Sequence, residues 1–544
     1  MYLLLNFLSF LFYVRAVAIS EQTSFNSQRT TTWDFSREPL VNSTGRWIFD
    51  NVNSFLKLRP NARFRNGHSI VPGVIPTGTV LYHGRGTPRL PTEPDWVSVD
   101  PEHSRLFFSV SHGEPETNGT KECWHLTLAV TNPLKVIYFD GSGAAKMLGG
   151  SMDTQDILAW GNIHPDRTYD DWARIAGLCD WAKDFGVQGF VRMEMDFEVM
   201  LCDFKTNLEV VSMLRVQPPE SVWSPNSTVS DTTRVLEAGT WHDQYPSERR
   251  IKLDYSRFIS FYDTSLFPSL NLHRQGQGRW AHRLGDITAE ELSTLRETLN
   301  ESLQGEEWGV SRSGVDWPTL LMTVEQRYSE RLSVLRYILF NLATKSDRTL
   351  EDVLKQAQRH IRDMINPYLL ESMHSTRSST PYVDSATTTP DLQWASPAFA
   401  ECATNHIRYL EKPSTFLGLS HSEKLLLGAI RETLTEICRV LIGMWAEGAE
   451  RGLAKNSVVL SDEDELIGAG LLTLADSWRS RTQGLMNWLD WSSWAACQPA
   501  CSIEEMCYMS TWPWFMGLSG VISPEEYRPF PKCIRRVEPF NDSN

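Results

Sequence analysis

From about residue 66 to 215 the apolar positions fall into short runs, GTVLYHG, WVSVD, HLTLAVT, LKVIYFDG, GFVRM and FEVMLCDF, separated by Gly, Pro and Asp. Runs of this length and β-branched content predict strands, with HLTLAVT and LKVIYFDG as a neighbouring pair. Between the fourth and fifth runs the spacing turns helical, roughly Asp153 to Asp184. Ser151 stands there as N-cap, and acids in the first turn suit the positive end of the helix dipole. Helical spacing resumes where Thr288 and Glu291 form a capping-box pattern ahead of Leu292, Leu295 and Leu299. A later stretch, Ser422 to Glu450, places Leu425, Leu426, Ile430, Leu434, Cys438, Leu441 and Trp445 on one stripe. The pattern predicts an α+β chain: a mixed α/β N-terminal domain, then a mainly α-helical C-terminal half with a Cys/Trp-rich end.

These changes of texture divide the chain into a leader (1–18), a Ser/Thr/Asn-rich extension (19–65), the α+β domain (66–215) and an irregular connection (216–285). A helical region (286–373), a Ser/Thr-rich linker (374–395), a second helical region (396–490) and the Cys/Trp-rich segment (491–544) follow. The leader MYLLLNFLSFLFYVRAVA ends in Ala16-Val17-Ala18, which a signal peptidase accepts. Its apolar run before Arg15 falls short of the roughly 17 to 25 residues that span a bilayer. LSVLRYILFNLA is broken by Arg336, so no transmembrane anchor is expected. Sequons at Asn42, Asn118, Asn226, Asn300 and Asn541 stand in polar, turn-like stretches and predict N-linked glycans. Together these place the chain in the secretory lumen or outside the cell.

Composition sharpens this. The chain has 544 residues, about three to four domains' worth, and its net charge of −15 argues against a broad nucleic-acid surface. Nine Cys are an odd number. Cys497, Cys501, Cys507 and Cys533 cluster at the end, and an oxidising compartment favours two disulfides there over zinc, with three pairings open. The unpaired thiol then lies among Cys123, Cys179, Cys202, Cys402 and Cys438.

The sequence has no GxSxG, HExxH, GxxxxGK[ST] or GxGxxG motif. Gly141 to Lys146 superficially matches a phosphate loop but runs into Met147, and reads as a β-to-helix turn. Glu194, Asp196 and Glu198 alternate, which in a strand puts three carboxylates on one face. Such a face is solvated, binds a cation or forms a site. His103, His112 and His125 lie near but at no ligand spacing, so they read as structural, and no metal site is expected. Trp160, Trp172 and Trp181 read as core or interface. The 20 Trp keep carbohydrate binding open, with Glu194 and Glu198 as the acid pair.

Two resemblances add expectations. YHG on a first strand, WVSVDPEHS at a strand-to-helix step, and Asp-x-Glu before an apolar strand resemble the ADP-ribosyltransferase fold over residues 78–212. The resemblance implies NAD as substrate, with His83 holding a ribose and Ser98 or a neighbour in the second-strand place. Glu198 would stabilise the oxocarbenium-like transition state, with Asp196 orienting the acceptor. VLYHGRGTP, VIYFDGSGAAKM, LDYSRFISFYD and CYMSTWPWF are similar to a group of secreted filamentous-fungal proteins with no assigned activity. Three functions follow for testing: an NAD-consuming transferase or glycohydrolase, a carbohydrate-active enzyme using Glu194 and Glu198, and a non-enzymatic secreted or cell-surface binding protein. A cleft shared by His83 and Glu198 would favour the first.

Overall fold

The computed structural model describes residues 33–109, 122–146, 149–217, 231–243, 247–305, 308–341, 349–371, 373, 391–453, 464–509 and 530–537. The leader, Asn118, Asn226, Asn541, His112 and residues 374–390 of the linker lie outside them.

The six apolar runs form β2 (Val80–Arg85), β3 (Asp95–Ser98), β4 (Cys123–Val130), β5 (Leu134–Phe139), β6 (Gly189–Met193) and β7 (Phe197–Leu201). They are flanked by β1 (Ser69–Ile75) and β8 (Leu208–Val216), and joined by β9 (Lys252–Leu253) and β10 (Ile259–Ser260) from the stretch read as irregular. One sheet results, in the order β10-β1-β5-β6-β7-β3-β2-β4-β8, with β9 also on β1. Among the described residues only β5 and β6 pair in parallel. The expected pairing of β4 with β5 does not occur, because each has other neighbours. Three residues join them, and four Cα steps reach at most about 15 Å. Five strand spacings of about 4.8 Å in a flat sheet would put them about 24 Å apart. The sheet must therefore curl until its two sides approach.

Curling gives the sheet two cores. Even-numbered side chains of β3, β6 and β7, among them Trp96, Phe190 and Met200, pack with helices Asp153–Trp160, Asp171–Ala182 and Ala289–Leu303. Odd-numbered ones, such as Val97, Val191 and Val199, join the larger core. That core also holds the C-terminal helices Trp317–Asn341, Leu350–Ile365 and His421–Glu450. The stretch read as an extension supplies helix Gly45–Asn53, whose Ile48, Phe49 and Val52 are buried in this same core.

Two disulfides close the C-terminal cluster, Cys497–Cys507 and Cys501–Cys533, around the hairpin of β11 (Glu505–Tyr508) and β12 (Lys532–Arg535). Cys179–Cys202 ties helix Asp171–Ala182 to the end of β7, and Cys402–Cys438 joins two C-terminal helices. Cys123 is buried and takes part in none of these four disulfides. Asn42 is exposed, and Asn300 is exposed on helix Ala289–Leu303 rather than in a turn. No helix among the described residues is long and apolar enough to cross a membrane.

Candidate functional site

The alternation of Glu194, Asp196 and Glu198 does not survive folding. β6 ends at Met193 and β7 begins at Phe197, so Glu194 and Asp196 sit in the turn between them and only Glu198 lies in a strand. None of the three is solvated; Asp196 is fully buried and Glu198 only 5% exposed. Each carboxylate therefore needs its own compensation.

Glu198 receives it on the sheet face. Tyr82 pairs with Ser98, and Ser98 with Glu198, so these three share a face across β2, β3 and β7. Arg192 Nε donates to Glu198 Oε1 at 2.7 Å, and Arg192 Nη2 reaches Asp171 Oδ2 at 3.0 Å. Asp171 also takes Lys146 at 2.9 Å and Arg174 at 2.5 Å, and Arg174 Nε donates to Asp156 at 2.8 Å. Three cations thus meet three carboxylates. Burial works against the charge of Asp171, but Arg192 and Lys146 outweigh it and hold its carboxyl well below the usual range.

Helix Pro101–Ser104 covers this face. Its Ser104 hydroxyl lies 2.9 Å from His125 Nε2, and a Cβ at Gly84 would overlap the Ser104 carbonyl. His103, 1% exposed, brings Nε2 to 3.8 Å from Glu198 Oε2. Ser98 Oγ donates to the Asp100 carbonyl at 2.8 Å. Ser98 and Glu198 are thus buried beneath the helix, whereas Tyr82 at the end of the row is half-buried.

His83 is not brought to Glu198. One residue past Tyr82, it points to the opposite face beside Leu126, and its Nδ1–H donates to the Trp96 carbonyl at 2.6 Å. Its Nε2 lies 3.6 Å from Asp95.

Asp196 enters a second network that the sequence did not signal. His242 Nδ1 lies 3.1 Å from Asp196 Oδ1, and its Nε2 lies 2.7 Å from Glu248 Oε2. Arg250 spans Glu248 at 2.6 Å and Asp100 at 3.0 Å. Burial alone would discharge His242, but Asp196 and Glu248 push its pKa up to about 9. Burial, with the Asp196 charge nearby, raises Asp100 to about 6. Asp100, Asp196 and His242 lie close enough for one cation. Yet the two His242 nitrogens face different carboxylates and Arg250 holds Asp100, so two cations of the protein already stand among the three carboxylates.

Glu194 stands apart. Burial pushes its pKa well above the usual value, and Oε1 has no hydrogen-bond partner among the described residues. It borders a cavity of about 30 Å³ beside Leu58, Met195, Leu236 and Tyr508, room for about one water.

Of these residues, Arg192 carried a sequence signal, since a lone cation inside the apolar run GFVRM must pair when buried. Asp171 and Arg174, three apart at a helix start, carried a weaker one. His242, Glu248 and Arg250 come from the stretch read as irregular.

Residues 34–122 and 110–232 match the family model described as the YPL277C N-terminal domain. Two Saccharomyces cerevisiae proteins are similar over the same scale, both described as uncharacterized. YPL277C is 34% identical over 229 residues, covering 35% of this chain and 46% of the relative. YOR389W is 33% identical over 230 residues, covering 35% of this chain and 36% of the relative. The chain thus spans less than half the length of these curated relatives. No solved structure matches. The family-model match holds the whole Arg192 network but ends before His242, Glu248 and Arg250.

Proposed function

We propose that this chain is a non-enzymatic, secreted binding protein built on a transferase-like scaffold. The observation that carries the reading is the neutralisation of Glu198 by Arg192 beneath helix Pro101–Ser104, with His83 on the other face of the sheet. A carboxylate that stabilises a sugar cation must stay open to substrate and be free of a fixed guanidinium. The same burial argues against glycoside cleavage by Glu194 and Glu198. Secretion is supported by four disulfides and the leader.

One observation favours the transferase reading as ancestry of the scaffold. The strands carrying the three motif segments, β2, β3 and β7, are consecutive neighbours, and Tyr82, Ser98 and Glu198 form one row. Fold and activity separate readily, so the row supports a scaffold without supporting turnover. Incubating the purified glycoprotein with NAD and measuring nicotinamide tests this. The expected result is no release above a buffer control, whereas release abolished by Glu198→Gln would overturn the reading.

A further inference from the structure

On the face of the sheet that carries Glu198, but outside its ion network, helices Asp153–Trp160, Asp171–Ala182 and Ala289–Leu303 leave a half-open cleft of about 340 Å³ between them. Its floor is Ile157, Leu158, Leu295 and Leu299, all buried, and its walls include the half-buried Trp160 and Trp181. The volume falls at the lower end of the range of about 300–1,000 Å³ typical of ligand sites. It is too small to enclose a dinucleotide and suits a slender apolar body.

The polar groups are confined to the mouth. Asp180 and Arg296 are both exposed there. Asp180 is committed to Lys183 at 2.8 Å, whereas Arg296 forms no ion pair among the described residues. Two glycines keep the mouth clear. A Cβ at Gly161 would press on Arg296 Nη2 at 3.2 Å, and one at Gly177 would press on Trp160 Nε1 at 3.3 Å. The faces of Trp160 are already taken by Arg167 at 3.9 Å and Arg174 at 5.3 Å, so stacking on a sugar ring is disfavoured. What the cleft offers a ligand is aliphatic floor, aromatic edge, and one guanidinium at the mouth.

We infer that this cleft binds an amphipathic monocarboxylate, a medium-chain fatty acid in chemical class. The acyl chain would lie on Leu295 and Leu299, and the carboxylate would accept from Arg296, the geometry in which an arginine fork is strongest. The inference deepens the binding-protein reading and rests on it, but nicotinamide release tests that reading separately.

Isothermal titration of the full-length glycoprotein with decanoate, and with methyl decanoate as the uncharged control, tests the site. Saturable binding of decanoate is expected, with the ester at least about tenfold weaker, the scale of one lost charge-assisted hydrogen bond. Arg296→Ala should weaken decanoate to the level of the ester. Leu295→Trp, which fills the floor, should abolish binding of both. Thermal unfolding of each variant shows that it is folded, and Leu299→Phe replaces Leu295→Trp if the latter is not. Absence of saturable decanoate binding, equal affinity for acid and ester, or binding unchanged by filling the floor would each overturn the proposal.

Discussion

His242 shows how a residue with no sequence motif can govern the pH response of the protein. Its imidazole is fully buried between Asp196 and Glu248, and its pKa is held near 9 against an ordinary value of 6.5. A group raised in the folded state contributes stability that is fully present below 6.5 and is lost as pH rises through 9. The shift corresponds to about 3 kcal/mol. Glu194, raised by burial, acts in the same direction at its own pH, since its ionisation opposes folding. On the acid side His282, depressed to about 3 by burial and by Arg274, and the similarly depressed His68 cost stability as pH falls below 6.5. Asp100 and Asp140, both raised to about 6, oppose these two histidines over the same acid range, so the alkaline side is where His242 can be read out. In urea unfolding between pH 6.5 and 9, His242→Gln should lower stability throughout and reduce the slope by one proton, about 1.4 kcal/mol per pH unit. An unchanged slope would show that His242 is not charged in the fold. None of this was legible in the sequence, where TWHD is an ordinary polar turn. Glu198 was legible as a residue needing explanation, but its partner Arg192 had to be read as buried before its solvated alternative could be discarded.

At the level of elements, strands and helices were readable because each is governed by local periodicity, and pairing was not, because it is governed by closure. The six runs became β2 to β7 in place, and Thr288 with Glu291 forms the capping box expected. HLTLAVT and LKVIYFDG, three residues apart, nevertheless lie on different sides of a curled sheet. Strands of two residues such as β9 and β10 are too short to show a period, so residues 252–260 read as irregular. The Cys179–Cys202 bond is likewise a product of closure, since it joins a helix to a strand end that only the fold brings together. It spans 23 residues. Constraining a loop of that length is worth about 3 kcal/mol in the chain-entropy model. Because this bond anchors the helix that carries Asp171 and Arg174, Cys179→Ser with Cys202→Ser should lower the stability measured in urea by about that amount. A midpoint equal to that of the parent protein would mean that the Arg192 ion network fixes this helix by itself.

The whole molecule is held by a joint that the division into N-terminal and C-terminal parts conceals. Asp50, on helix Gly45–Asn53, accepts from Arg279 Nη1 at 2.5 Å, from the Ser492 amide at 2.6 Å and from the Ser492 hydroxyl at 2.7 Å. One buried carboxylate thereby ties residues 50, 279 and 492. Around it the larger core is continuous, running from Val97 and Val199 of the sheet through Phe49 to Leu426 and Ile430 of helix His421–Glu450. An interface between independent domains would be smaller, more polar and free of such a hub. The sheet face beneath the C-terminal helices is too apolar to stand in water. Calorimetry of the intact protein should therefore give one cooperative transition, with matching calorimetric and van't Hoff enthalpies. Asp50→Ala strands the buried Arg279, at a cost of about 3–5 kcal/mol. It should displace that transition as a unit to lower temperature without splitting it. Two resolved transitions, only one of them moved by Asp50→Ala, would instead make the sheet and the helical half separate folding units that merely touch.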